Sequence, residues 1–72
     1  MELYWEDDYA LALALQRAHP AVNPLEVDWV TLRQWVLELP EFVDDRSVMA
    51  LYLLENIQRE WYEEAASHES TV

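Results

Sequence analysis

The sequence contains no cysteine and no glycine in its 72 residues. Without cysteine the chain can form no disulfide, no thiolate metal site and no cysteine nucleophile. Without glycine it has no glycine-rich phosphate loop, and no nucleophile–base pair is recognisable either, so we do not expect an enzyme. Because small domains without disulfides are typical of a reducing compartment, we expect a cytoplasmic protein.

Positive charge is also scarce. Four arginines and no lysine stand against 15 acidic residues and leave a formal net charge of −11. This charge repels nucleic acid and anionic membranes, and it favours basic protein surfaces or cations. The N-terminal segment has no basic region, and no apolar run is long enough to span a bilayer. We therefore expect a soluble protein with no nucleic-acid partner and no membrane partner.

Apolar residues, by contrast, are plentiful: 53% of the chain is hydrophobic, and four residues are tryptophan. An acidic disordered tail carries far less apolar mass, so we expect the chain to fold. Its length allows one domain, residues 1–72, with a small core. We expect a mainly α fold that is ordered over about residues 4–64, with a frayed tail at 65–72.

The spacing of apolar residues predicts three helices. Prolines 20 and 40 end the first two, and Thr31 and Gln34 fit a capping box for the second. The first helix is expected over about residues 9–18. The second should begin between Asp28 and Thr31 and end at residue 39. The third should begin after a cap at Asp45 or Ser47 and end at about Glu64. The residues expected to face the core are Leu11, Leu15, Ala18, Leu32, Trp35, Val36, Leu39, Ala50, Leu54, Ile57 and Trp61.

Histidine and tryptophan offer weak signals for function. His19 and His68 lack a second ligand at zinc-type spacing, and His19 is well placed as a helix C-cap. The tryptophans could form a stacking platform for single-stranded nucleic acid, but such platforms need a basic groove. We therefore expect the tryptophans to lie in the core or to cover it, and Leu51 or Tyr52 to be exposed apolar surface.

Carboxylates remain the best candidates for function, because oxygen ligands suit hard cations. Composition alone favours interpreting each cluster as a solvated face or a helix cap. Adjacent Asp44 and Asp45 stand out, because a cation or arginine partner would relieve their repulsion and capping alone would need only one of them. The three clusters are Glu6–Asp7–Asp8, Glu38–Glu41–Asp44–Asp45 and Glu55–Glu60–Glu63–Glu64.

A collinear set of short motifs runs through residues 4–64. They are Trp5-x-Asp7, Ala14-Leu15, Pro20-x-x-x-Pro24, Leu32-x-x-Trp35-Val36-x-x-Leu39, Phe42-x-Asp44-Asp45 and Leu54-Glu55-x-Ile57-x-x-x-Trp61-x-x-Glu64. Together they resemble the IscX family of iron–sulphur cluster assembly. The resemblance implies a small three-helix domain of modified winged-helix type that is not a catalyst, and the charge argues against DNA binding by that fold.

The resemblance also implies an acidic adaptor or regulator that binds the cysteine desulfurase through a negative face and competes there with frataxin. We place this contact on Glu38, Glu41, Asp44 and Asp45. It further implies no tightly bound cofactor but weak iron binding by carboxylates, which map to Asp7, Asp44, Asp45, Glu55 and Glu64. Two alternatives stay open: an iron donor that holds ferrous iron on exposed carboxylates, and a helical interaction domain that has lost the desulfurase contact.

Two places depart from the family pattern. Arg46 stands where the family has a proline after its two aspartates, and a positive charge there can weaken iron binding. Leu51 and Tyr52 replace an acidic and a basic residue early in the third helix. This apolar stretch suggests self-association or a different partner surface.

Overall fold

Three α-helices and one short 3₁₀ helix form the protein in a computed structural model that describes residues 1–69, with side chains as far as Ser67. The expected mainly α fold with three helices is confirmed. Part of the expected frayed tail, residues 70–72, and the His68 side chain lie outside the described residues. The elements are α1 (Asp8–Ala18), the 3₁₀ helix (Pro24–Glu26), α2 (Trp29–Leu37) and α3 (Leu51–Glu69).

Helix α1 ends at the predicted residue. The backbone N–H of His19, its C-cap, donates to the Leu15 carbonyl, and Pro20 follows. Leu11 and Leu15 are buried as predicted, but Ala18 is exposed and Ala12 is buried instead. The buried stripe is centred between Leu11 and Ala12, so Ala18 lies at its edge in the last residue of the helix.

Helix α2 begins within the predicted interval, but its cap differs from the predicted capping box. Asp28 is the N-cap, and its Oδ1 accepts a 2.7 Å hydrogen bond from the Thr31 backbone nitrogen. Thr31 therefore lies inside the helix. The helix ends at Leu37, two residues earlier than predicted, because the residue before Pro40 is disfavoured in helical geometry.

Residues 46–50 form a connection where the sequence predicted the start of α3. The predicted cap is wrong, because the Asp45 carboxylate binds Ser47 within this connection and α3 begins only at Leu51. Arg33 of α2 holds the connection by donating from Nε to the Val48 carbonyl (2.9 Å) and from Nη2 to the Arg46 carbonyl. At its other end α3 continues to Glu69, beyond the predicted end near Glu64.

The core lies where α1 packs on α3 and where α2 closes one side. Two side-chain hydrogen bonds accompany this packing. Trp61 Nε1 of α3 donates to Gln16 Oε1 of α1 (2.9 Å), and Gln58 Nε2 of α3 donates to the Pro24 carbonyl of the 3₁₀ helix (3.0 Å). Of the predicted core residues, Trp35 and Ala50 are half-buried. The buried apolar residues are Leu3, Trp5, Leu11, Ala12, Leu15, Leu32, Val36, Leu39, Phe42, Leu53, Leu54, Ile57 and Trp61.

The tryptophans belong to the core or border it, as expected. Trp5 and Trp61 are buried, and Trp29 and Trp35 are half-buried. The Trp35 ring stacks on the His19 ring at a centroid distance of 3.8 Å and an interplanar angle of 14°. This contact joins the end of α1 to α2, and the C-cap position alone did not predict it.

The β pairing found within residues 1–69 is one isolated parallel bridge between Leu3 and Phe42. It lacks the paired strands of a wing, so the modified winged-helix detail is not confirmed. In the same part of the chain no helix is apolar enough over a sufficient length to cross a bilayer.

Candidate functional site

The segment that precedes α1 lies against the connection between α2 and α3. The Leu3 backbone nitrogen donates to the Glu41 carbonyl (2.8 Å), and the Val43 nitrogen donates back to the Leu3 carbonyl (3.0 Å). These two bonds make the parallel bridge. They place the first residues of the chain beside a loop that lies about 40 positions later in the sequence.

Trp5 completes this contact, which we call the Trp5 clasp: the bonds of Trp5 with Asp44 and Asp45 and its packing on Phe42. Its backbone nitrogen donates to Asp44 Oδ2 (3.0 Å), and its indole Nε1 donates to the Asp45 carbonyl (2.7 Å). Its ring meets Phe42 edge-on, with centroids 4.8 Å apart. Both rings are buried, so the clasp combines apolar packing with satisfied polar groups.

The clasp brings two of the three predicted acidic clusters together. We call the carboxylates of these two segments the acidic face; it comprises Glu6, Asp7, Glu38, Glu41, Asp44 and Asp45, with Glu38 at the C-cap of α2. All of these residues are exposed except Asp44, which is half-buried. The pKa of the Tyr4 phenol is raised, mainly by the charge of Glu2. Burial and a hydrogen bond to Glu2 raise it further, and the charges of Asp44 and Asp7 in the acidic face add to the effect.

The paired aspartates have separate structural tasks. Asp44 accepts the Trp5 nitrogen on Oδ2 and the Asp45 nitrogen on Oδ1 (2.7 Å). Asp45 Oδ1 accepts the Ser47 hydroxyl (2.7 Å) and nitrogen (2.9 Å), and these two bonds lower the pKa of Asp45. Each carboxylate therefore serves different donors within the loop, and neither of them caps an α-helix.

Asp7 has a comparable structural role. Its Oδ2 accepts a 2.8 Å hydrogen bond from the Tyr4 backbone nitrogen, which shapes the turn into α1. Glu38 and Glu41 serve no such local backbone donor in the bonds observed; Glu38 accepts from the Gln34 side chain (3.1 Å). The charges of these two glutamates can therefore be changed with less effect on the fold than those of Asp7, Asp44 and Asp45.

The two arginines near the acidic face, Arg33 and Arg46, donate hydrogen bonds to backbone carbonyls. Arg33 donates to carbonyls of the 46–48 segment, and Arg46 Nη2 donates to the Leu37 carbonyl (2.8 Å) at the end of α2. Arg46 thus places its charge where the helix dipole is negative. The observed hydrogen bonds of these two arginines are therefore to backbone carbonyls and not to carboxylates of the acidic face.

The residues predicted to bind iron do not converge on one point. Asp7, Asp44 and Asp45 lie around the Trp5 clasp, but Glu55 and Glu64 lie on α3, nine residues apart. That spacing separates them by about 13 Å along the helix and by half a turn around it. Among the described side chains, no three carboxylate or histidine groups lie close enough to hold a metal ion.

The sequence analysis missed the contacts that assemble the acidic face. Leu3 and Phe42 are buried core residues, and neither belongs to a helical apolar stripe. One feature of the sequence could have indicated these contacts: Trp5 directly precedes the first acidic cluster, and Phe42 lies within the second. The exposed apolar stretch was predicted, and Leu51 and Tyr52 are 48% and 62% exposed.

Comparison with known proteins identifies the family. Residues 3–66 match a family model described as iron–sulphur cluster assembly. The chain belongs to this iron–sulphur cluster assembly family. The resemblance to IscX is thereby confirmed. The chain is also similar to an uncharacterized protein of Pseudomonas aeruginosa, PA3808, with 45% identity over 64 residues that cover 89% of this chain and 97% of the relative.

The family match covers the region that carries the acidic face. The matched residues 3–66 include both halves of the Trp5 clasp and all six residues of the acidic face.

Proposed function

We propose that this protein is a non-enzymatic adaptor of iron–sulphur cluster assembly that binds the cysteine desulfurase through the acidic face. The observation that carries the proposal is the Trp5 clasp. It joins two acidic segments from opposite parts of the chain into one surface, while Arg33 and Arg46 donate to backbone carbonyls. A surface of this charge favours a basic partner.

The physics of the surface predicts how the complex forms. A net charge of −11 steers the protein toward a basic surface and speeds association, and added salt screens this attraction. The carboxylates of Glu38 and Glu41 pair with arginines or lysines of the partner. Asp44 and Asp45 shape the loop and add charge to the same surface.

Regulation follows from occupying a shared surface. We propose that the protein competes with frataxin for the basic surface of the desulfurase. A displacement assay tests this directly: labelled frataxin bound to the desulfurase should be released as the protein is added. Release that is independent of the protein's concentration would contradict competition.

The central experiment is calorimetry of the protein against the cysteine desulfurase at about 50 mM and about 300 mM salt. We expect saturable binding that weakens at high salt and weakens further in the double variant Glu38→Gln, Glu41→Gln. The matched control is Glu26→Gln, Glu63→Gln, which removes the same charge from exposed positions. Glu26 ends the 3₁₀ helix, which is bonded to α3 through Gln58 and Pro24, and Glu63 lies about 18 Å along α3 from its first residue.

The control distinguishes a docking site from a general effect of charge. Equal weakening in both double variants would mean that only net charge matters, and the acidic face would then have no special role. Binding that is unchanged at high salt would contradict the electrostatic mechanism. Absence of binding by the wild-type protein would remove the desulfurase proposal.

Weak iron binding remains a secondary part of the proposal. Any iron would be held loosely by exposed carboxylates near Asp7, Asp44 and Asp45, with no tightly bound cofactor. Titration with ferrous iron, followed by tryptophan fluorescence, tests this, because Trp5 contacts both Asp44 and Asp45. A signal without saturation at millimolar iron would reject both the weak site and the iron-donor alternative.

A further inference from the structure

Three exposed apolar residues follow Asp44 and Asp45 of the acidic face in the sequence, at the start of α3. We call them the apolar patch; they are Met49, Leu51 and Tyr52, which are 54%, 48% and 62% exposed. Leu51 and Tyr52 occupy the first turn of α3, and Met49 lies two residues before it. The three residues lie within four consecutive positions of the chain, and all three are exposed.

The patch sits on a fixed part of the backbone. Arg33 binds the carbonyls of Arg46 and Val48, directly before Met49, and the Ala50 carbonyl accepts the Leu53 and Leu54 nitrogens at the start of α3. Asp45 directly precedes this connection, and its carboxylate binds Ser47 within it. The apolar patch therefore follows Asp44 and Asp45 of the acidic face along one segment, whose backbone is bonded by Arg33 and by the Asp45 carboxylate.

We infer that the apolar patch is the centre of the docking interface of which the acidic face is the rim, and that the partner presents an apolar pocket beside a cluster of basic residues. This inference rests on the proposed function, because it assigns the patch to the same desulfurase complex. Protein interfaces commonly place an apolar or aromatic centre within a polar rim, and tyrosine is frequent among residues that dominate binding energy.

Size and charge decide between this occupant and a second copy of the chain. A stable interface buries about 800 Å² on each partner, more than three partly exposed side chains can supply, so the patch needs its acidic surroundings to form one. Two copies meeting there would bring their acidic faces together, each on a chain of charge −11. Like charges oppose that contact, whereas a basic partner satisfies both parts of the surface.

Calorimetry with the cysteine desulfurase at about 50 mM and about 300 mM salt tests the inference. The test variant is Leu51→Ala, Tyr52→Ala, and we expect binding at least tenfold weaker at both salt concentrations, with an unchanged dependence on salt. The matched control is Leu25→Ala, Tyr62→Ala. It removes the same two residue types from the groove between the 3₁₀ helix and α3, where they are 57% and 44% exposed.

The outcomes separate this inference from the proposed function. If the wild type binds with salt dependence and both apolar double variants bind equally well, the desulfurase contact stands and the role of the patch is overturned. If the wild type does not bind, the proposed function fails and the inference fails with it. Sedimentation of the free protein supplies the third outcome: a dimer that Leu51→Ala, Tyr52→Ala dissociates would assign the patch to self-association and overturn the inference.

Discussion

Trp5 and Asp44 are joined across 39 positions of sequence by a 3.0 Å hydrogen bond from the Trp5 backbone nitrogen to Asp44 Oδ2. The bond is partly buried, and the same tryptophan donates its indole N–H to the neighbouring Asp45 carbonyl. An aspartate that looks like a surface charge in the sequence is therefore part of the tertiary structure. A substitution of Asp44 that removes its charge will therefore also change the stability of the folded protein.

The first prediction concerns this double role of Asp44. Asp44→Ala leaves the Trp5 and Asp45 nitrogens without their acceptor, so we expect the free energy of unfolding to fall by about 1–3 kcal/mol. Asp44→Asn keeps one acceptor oxygen and should lie between the wild type and Asp44→Ala. Urea unfolding monitored by tryptophan fluorescence measures the order. Equal stability of all three proteins would mean that the hydrogen bonds of the Asp44 carboxylate contribute nothing to stability.

The second prediction concerns Arg33, which joins α2 to the connection before α3. Arg33→Ala removes two donors, one of them to the partly buried Val48 carbonyl, and should lower the unfolding free energy by about 1–3 kcal/mol. Arg33→Lys should restore only part of this loss, because an ammonium group lacks the two-pronged geometry. Chemical denaturation of the three proteins measures these differences.

Arg59→Ala is the control for Arg33. Arg59 is exposed on α3 and donates only to the Asn56 side chain (3.1 Å), so its loss should change stability by less than about 0.5 kcal/mol. A comparable loss in both alanine variants would indicate a general effect of removing positive charge from this acidic chain.

The third prediction concerns the pH dependence of stability. Hydrogen bonds from Thr31 lower the pKa of Asp28, and those from Ser47 lower the pKa of Asp45, below their ordinary value of 3.8. A pKa lowered on folding stabilises the protein above the unfolded-state value, and the stabilisation disappears as the pH falls through the folded-state value. The difference in stability between the wild type and Asp28→Ala should therefore be constant near neutral pH and shrink below about pH 4.

Comparing the two proteins at each pH removes the effect of the remaining carboxylates, whose mutual repulsion also changes with pH. Unfolding by urea at a series of pH values provides the measurement. A difference that grows on acidification would have the wrong sign for a carboxylate whose pKa is lowered.

The fourth prediction concerns Glu38, the C-cap of α2. A negative charge there faces the negative end of the helix dipole, so Glu38→Gln should raise the unfolding free energy by about 0.3–1 kcal/mol at low salt. The same change should weaken desulfurase binding. Thermal unfolding at low and high salt checks the first effect, which should decline with salt. A loss of stability would show that the Gln34 contact outweighs the dipole.

Local sequence was enough to predict the helices, because their signals lie within a few residues. Leu11 and Leu15 in α1, and Leu54, Ile57 and Trp61 in α3, repeat at helical spacing and are buried. Proline 20 ends α1 as expected. Boundaries were less certain where several caps compete: Asp28, Thr31, Asp45 and Ser47 are all acceptable N-cap residues, and only Asp28 caps an α-helix.

The acidic face could be predicted only in part. Its charge is evident from composition, and Glu41, Asp44 and Asp45 are neighbours in sequence. The approach of Asp7 and Glu6 depends on the Trp5 clasp, and no local pattern indicates that a tryptophan before α1 will bind a loop about 40 residues away. The separation of Glu55 and Glu64 from that face also required the structure.

By itself the sequence determined the family, the helical class, most of the core stripes and the negative charge, since these depend on residue types and on spacings within one helix. The tertiary structure alone decided which carboxylates share a surface, which of them serve backbone donors, and where the arginines direct their charge. These are contacts between distant segments, formed when Trp5 and Phe42 are buried together, and the free energy that selects them comes from packing of the whole chain.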